Sequence, residues 1–591
     1  MSGLFGFAPR TLGRPVDPRP FFGMGSILVH DESQVVEVLS GIPPYVGQVG
    51  QSKQDPGSAS ANGDCCTWIF GSMIVPGEGS SAAWLAEMYG SRSWPDCLGE
   101  CGGIFSVVII DRRAQTVHLA TDGLGLRHVY WMMTGAGLFF GPEPKIALTV
   151  DGFEASLSDN AVQDFFVHGH LFGDQTWIKG VRLLDRASVL SYSLLNGEVT
   201  IARYDFLGDS EKRAPSLQES AHECERLFRI ACDRLSAVSD NQKVGVLLSG
   251  GLDSRAVLAC VADSSTATVT YGKSGAVDEK IASRVAEALS VPHVFFQLGA
   301  SDWLLHRIAG VWRTDGQSDM YHMHGVEVLK DMRAHMTVNM SGLAGDAVLG
   351  GSWLWRRDWL DRWPNAEAIR QLTGGQVVND QEAAGYQSID DYMLSNRVRR
   401  FTCEGMRLFD VGHEWRAPFI DRDLLAFVRT LPDDYRYGGV LYRHMLMSLR
   451  SELFKQIPWQ RTGVAVGAPM PVRLAHRVAG GLTSRAGRIL PLIGMRTYAA
   501  RSRMYDYPRW LSQPGTLSLV KRLLCSKDSI HAEILGRAPA TGLIDGLERG
   551  KDTSGDVLRL LTIEVWARQF LRGELRSQST DELRSALSLK C

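Results

Sequence analysis

Charge of one sign is scarce in this sequence. Sixty-three lysines and arginines meet 65 aspartates and glutamates, leaving a formal net charge of -2 over 591 residues. That balance gives no support to a nucleic-acid or anionic-membrane partner. Long apolar runs are missing as well. No segment reaches the roughly 18 uninterrupted apolar residues of a membrane span. The opening MSGLFGFAPR lacks the basic stretch and apolar run of a signal peptide. Metal-site spacing is also lacking. Cys97 and Cys101 are separated by three residues, but no second Cys/His pair follows at zinc spacing, and the other cysteines are mostly scattered. The expectation is a cytoplasmic protein with free thiols. There is no internal repeat and no long low-complexity segment.

What remains is an ordinary globular composition, with 45% hydrophobic and 22% charged residues. The length predicts several domains. The first 205 residues are β-rich: apolar runs at Gly103–Ile110, Thr116–Ala120 and Gly137–Phe140 alternate with turns such as Asp122-Gly123 and Thr134-Gly135. The polar stretch Gly208–Pro215 reads as a linker. A helical pattern over Leu217–Ala237 follows, then a buried-strand run at Val244–Leu248, a helix over Ser254–Ala262, a strand over Thr266–Tyr271 and a helix over Asp278–Leu289. Alternating strands and helices predict an α/β domain with a doubly wound parallel sheet. From Ala475 onward the chain reads as a helical tail.

The strand at Val244 runs into Ser249-Gly250-Gly251-Leu252-Asp253-Ser254. Glycines let backbone approach a ligand closely. The N–H groups and dipole of the following helix favour an anion. Asp253 fits an anion site only with a cation between it and the phosphates, and Mg²⁺ is the natural choice. SGGLDS resembles the pyrophosphate loop of enzymes that split ATP between the α and β phosphates. Leu248, Ser249, Gly250, Gly251, Asp253 and Ser254 are therefore assigned to ATP. Tyr271 and Gly272, at the end of the next strand, are read as lining the adenine, against the plainer reading of a strand end. Gly272-Lys273-Ser274 is no Walker A loop, because the glycine that motif needs five residues earlier is Ala267.

A second glycine-rich loop, Ser341–Gly351, carries one carboxylate, Asp346. Two aspartates from separate loops facing one triphosphate would hold Mg²⁺ beside the leaving pyrophosphate. Ser341 and Gly342 join the nucleotide contacts, and Asp253 and Asp346 are the metal and catalytic carboxylates. This loop, the Arg416–Asp421 segment, and Leu98–Asp111, Asp122–Arg127, Phe140–Leu148 and Arg203-Tyr204-Asp205 together resemble the asparagine synthetase family. The resemblance implies a glutaminase-like β-sandwich flanked by helices over residues 1–206 and an ATP pyrophosphatase domain over residues 217–591.

Two departures narrow the expected chemistry. Glutamine-dependent members of that family begin Met-Cys-Gly, whereas this chain begins Met1-Ser2-Gly3. A hydroxyl is far less ionised than a thiol, and no glutamine-binding segment like the family's stands out, so the first domain is expected to be degenerate. Leu343 stands where asparagine synthetases resembling this loop carry Glu and β-lactam synthetases carry Tyr. Leu cannot deprotonate a nitrogen, which predicts an amine nucleophile that needs little help, such as a peptide N-terminus. Among subgroups, the lasso-peptide cyclases, or macrolactam synthetases, are most similar. The resemblance implies ATP and Mg²⁺ as cofactors and a leader-cleaved precursor peptide as partner, with a leader peptidase and a leader-binding protein as further candidates. An ammonia-dependent asparagine synthetase, a β-lactam-type cyclase and a non-catalytic ATP-binding scaffold are the rivals. Arg461 occupies a place like the catalytic Lys of β-lactam synthetases and would meet phosphate charge. Trp355, Trp359 and Trp363, at four-residue spacing, read as a core stripe or a wall for a peptide. His168/His170 and His322/His324 are His-x-His pairs without a metal-ligand pattern. The basic run Arg496–Arg509 reads as a solvated surface or a docking site.

Overall fold

The structure, a computed structural model, describes residues 2–10, 17–51, 64–77, 79–91, 94–208, 215–237, 242–354, 366–373, 383–469, 471–472, 475, 504–577 and 579–587. The expected linker at 209–214, the tryptophans at 355, 359 and 363, and most of the basic run at 496–509 lie outside the described residues.

The first part of the chain folds into two antiparallel sheets. One has six strands, in the order Gln34–Ser40, Tyr45–Gln51, Gly3–Pro9, Gly137–Gly141, Tyr130–Met133, Arg182–Leu183. The other has five, in the order Val199–Arg203, Ser188–Ser193, Thr116–Thr121, Gly102–Asp111, Cys65–Ile74. Alternating side chains meet between the sheets: Leu4, Val46, Trp68, Val108, Leu119, Phe140 and Leu190 form one buried cluster. The β-rich reading holds, and the two facing sheets form the β-sandwich that the resemblance implies.

A 20-residue helix, Leu217–Ser236, opens the second part. Its start is set by a capping box: Ser216 Oγ accepts from the Glu219 N–H at 3.2 Å, and the Glu219 carboxylate accepts from the Ser216 N–H at 2.9 Å. A five-stranded, all-parallel sheet follows, in the order His293–Gln297, Ala267–Gly272, Val244–Leu247, Val338–Met340, Glu414–Arg416. The winding reverses between Val244–Leu247 and Val338–Met340. In open parallel sheets that switch point leaves a crevice beyond the carboxyl ends of the strands. Both glycine loops leave the sheet there. The helical tail closes the molecule with the almost wholly buried helix Ser554–Leu571.

The apolar core does not respect the boundary between the two parts. Leu98, Phe105, Ala120 and Tyr204 belong to the same buried cluster as Phe228, Val246, Phe419 and Leu446. Buried polar contacts cross too: Arg127 pairs with Asp410 at 2.9 Å, and Arg407 donates to the Pro142 carbonyl at 2.8 Å. Such groups tolerate burial because their partners compensate lost hydration. No described helix is long and apolar enough to cross a membrane.

Candidate active site

The strand Val244–Leu247 delivers the first loop, and the helix Asp253–Val261 leaves it. That helix has no side-chain N-cap, so its first N–H groups carry no capping partner. The loop is braced from within and from outside. Ser249 Oγ lies 3.2 Å from Ser254 Oγ and accepts from the Gly251 N–H at 3.2 Å. The Gly250 N–H donates to buried Asp278 at 2.9 Å. The Gln460 amide donates to the other oxygen of Asp278 at 2.7 Å, and its N–H donates to the Gly250 carbonyl at 3.1 Å. A side chain at position 250 would collide with Gln460 Cβ at 2.7 Å, which is why glycine stands there. The Leu248 carbonyl accepts from Thr270 Oγ1 at 2.6 Å, tying the loop to the neighbouring strand.

The second loop packs directly on the first. A Cβ at Gly342 would lie 2.6 Å from the Ser254 nitrogen, and one at Gly345 would lie 2.8 Å from Asp253 Cγ and from the Phe419 ring. Asp253 Oδ2 accepts from the Asp346 N–H at 2.9 Å, and Oδ1 accepts from the Tyr442 hydroxyl at 2.7 Å. Ser341 is held by its N–H to the Arg416 carbonyl at 2.7 Å and by its hydroxyl to Met406 Sδ at 3.0 Å. Ala344, between the glycines, has φ of +66°, a left-handed conformation that costs a non-glycine residue energy and collects at functional sites.

The two predicted carboxylates are therefore brought together at the switch point, Asp253 partly covered and Asp346 open to the cleft. Burial and then the Asp346 charge push the Asp253 carboxyl up to about 7, against the pull of the Tyr442 hydroxyl. Asp346 is raised by desolvation between the loops and drawn back down by Arg461 and, more weakly, Arg397. Arg461 is exposed, with its guanidinium 5.8 Å from the centre of the Trp459 ring. Fully buried Arg255 sets that segment's position, donating to the Ile457 carbonyl at 3.0 Å and the Pro458 carbonyl at 2.8 Å.

Tyr271 and Gly272 end the adjacent strand, but the Tyr271 ring packs against Gly325 and Gly272 against Met504. Leu343 is buried, its N–H bonded to Ser341 Oγ at 3.2 Å. Ser2 is buried as well, donating to the Asp410 carbonyl at 3.1 Å. Tyr442, Asp278, Gln460 and Arg255 were not legible as site residues. Tyr442 and Asp278 come from helices with no motif around them; Arg255 and Gln460 adjoin Ser254 and Arg461, but only the fold shows what they hold.

The asparagine synthase family description matches residues 225–407, and the glutamine amidotransferase domain description matches residues 82–205. The chain is 30% identical over 434 residues to asparagine synthetase [glutamine-hydrolyzing] 3 of Bacillus subtilis (strain 168), spanning 62% of this chain and 68% of that one. It is 25% identical over 406 residues to asparagine synthetase [glutamine-hydrolyzing] 2 of the same organism, spanning 59% and 54%. A putative asparagine synthetase [glutamine-hydrolyzing] 2 of Methanocaldococcus jannaschii is 24% identical over 334 residues, spanning 54% and 63%.

Proposed function

Because the chain belongs to the asparagine synthetase family and is thus an ATP-dependent carbon–nitrogen ligase, we propose that it is a macrolactam synthetase. It would activate an Asp or Glu side-chain carboxylate of a leader-cleaved precursor peptide and join it to that peptide's own N-terminal amine, releasing AMP and pyrophosphate. The observation that carries this reading is Leu343. At the turn of the second loop, where the chemistry of a poorly reactive nitrogen calls for a base, the chain buries a hydrocarbon. The nucleophile must therefore arrive able to react, and an α-amino group with a pKa of about 8 does so.

The residues divide the work. The uncapped helix start at Asp253 and the hydroxyls of Ser249 and Ser254 would receive phosphate oxygens. Asp253 and Asp346 fit Mg²⁺: two hard oxygen donors from facing loops, with no other cation in ion-pair contact among the described residues. The ion, when bound, neutralises charge on the departing pyrophosphate. Arg461 adds a permanent positive charge beside Asp346. Tyr442 holds Asp253 in place. A leader peptidase and a leader-binding protein would supply the trimmed peptide.

Mass spectrometry tests the reading with the full chain, ATP, Mg²⁺ and free-amine peptides carrying one Asp or Glu. The expected product has lost one water, and AMP accumulates. ADP as the nucleotide product would sink the mechanism. Conversion of free aspartate to asparagine with ammonia would instead favour the activity named for the relatives.

A further inference from the structure

One helix beside the second loop changes its winding part-way. It starts as α-helix over Ile389–Met393, widens to π-helix over Leu394–Thr402 and returns to α-helix over Cys403–Arg407. π-turns are rare and collect at functional sites. Within the π-helical stretch Arg397 and Phe401 meet, four residues apart. On the α-helical stretch that follows, Met406 receives the Ser341 hydroxyl, so this helix packs against the second glycine loop.

Arg397 lies over the Phe401 ring, its guanidinium carbon 3.8 Å from the ring centre. It is exposed and, among the described residues, makes no ion pair. Its charge acts on Asp346 and on Asp319. Both His-x-His pairs converge on the same ring. The His322 ring is 4.7 Å from Phe401, and the His170 ring is 5.4 Å away. His322 is fixed by Asp319, with Nδ1 2.7 Å from Oδ1. His170 belongs to the amidotransferase-like half, and the π-helix grips its loop. Asn396 accepts from the Gly173 N–H at 3.1 Å, and Arg400 donates to the Gly173 and Gln175 carbonyls at 3.2 and 2.8 Å. An arginine pre-set on an aromatic face, with its fork unengaged, is built to receive a carboxylate. The Arg461 charge acts on Asp346 from the segment bonded to the pyrophosphate loop, whereas the Arg397 charge acts on both Asp346 and Asp319.

We propose that Arg397, seated on Phe401 and walled by His322 and His170, binds the carboxylate that ATP activates. The proposal rests on the carboxylate-activating reading above. It also gives the amidotransferase-like half a part in the ligase site, because that half supplies His170.

The test is ATP–pyrophosphate exchange by the full chain, with L-aspartate and free-amine Asp- or Glu-bearing peptides as the acids. Arg397→Gln is expected to raise the KM for the acid about tenfold or more and leave the KM for ATP within about twofold, the loss of a charge-assisted hydrogen bond. Arg397→Lys recovers part of the loss. In the unaltered protein, phenylglyoxal should label Arg397 in the presence of ATP, and adding the acid should protect it. An unchanged acid KM in Arg397→Gln, with the unaltered protein exchanging normally, overturns the proposal alone. If no carboxylate supports exchange by the unaltered protein, the ligase reading falls and the proposal with it. Should Arg397→Gln fail to fold, the labelling decides: protection by ATP alone overturns the proposal.

Discussion

Asp253→Asn is expected to make the metal-free protein more stable while abolishing turnover. In the native chain two carboxylates meet at the switch point, and burial with the Asp346 charge raises Asp253 to about 7. A carboxyl raised that far in the folded state costs at most about 4 kcal/mol once ionised. The cleft is open at Asp346, and solvent screening trims the figure to roughly 1–2 kcal/mol. The sign follows from linkage. Asp253's contribution is fully favourable below its unfolded value near 3.8 and is lost as pH rises through 7. Asparagine keeps the geometry, since its carbonyl accepts from the Asp346 N–H while its amide donates to the Tyr442 oxygen. Thermal unfolding in EDTA should put Asp253→Asn a few degrees above the native protein at pH 8. The gap should close as pH falls toward 4, and Mg²⁺ with ATP should reverse the order. A variant less stable than the native protein at pH 8 in EDTA, or a gap indifferent to pH, would refute the reasoning.

Four further outcomes follow from the same loops. Tyr442→Phe removes a donor from the Asp253 anion, so the acidic limb of the pH–rate profile should move upward by about one unit; an unmoved limb would contradict that role. Gly345→Ala drives a methyl into Asp253 and Phe419 and should cost about 1–3 kcal/mol in denaturant unfolding, with loss of exchange activity. Ala344→Gly relieves the positive φ next door and should be neutral or stabilising by up to about 1 kcal/mol in the same unfolding assay. Arg461→Ala should lower kcat about 100-fold in single-turnover assays, with little change in stability, because the side chain is exposed.

Much of this architecture could be read from local patterns. The buried run at Val244, its glycine loop and the alternating elements to Leu289 specify a parallel sheet, because each signal spans a few adjacent residues. The two loops were legible for the same reason, and so were Asp253 and Asp346. What escaped is set by long-range packing. Nothing around Tyr442 or Asp278 marks them, and Gln460 adjoins Arg461 without showing its own part; only the fold carries them to Asp253 and Gly250. Arg397 and Phe401 stand at i,i+4, but that spacing alone does not mark a site; their place beside Asp346 and the two histidines is set by packing distant in sequence. The two His-x-His pairs were visible, but their convergence on one ring was not, since 152 residues separate His170 from His322. Tyr271 was placed at the correct strand end, yet its ring turns to Gly325, a choice settled by the helical tail packing behind it.

The core cluster shared by Leu98, Phe105, Phe228 and Phe419 limits how this chain can change over generations. Truncation of either half would strip the survivor of the side chains that fill its own interior. The front half therefore cannot be shed as a spare module, whatever chemistry it retains. Contacts between the halves, such as the His170 loop held by Asn396 and Arg400, are then part of one shared interior.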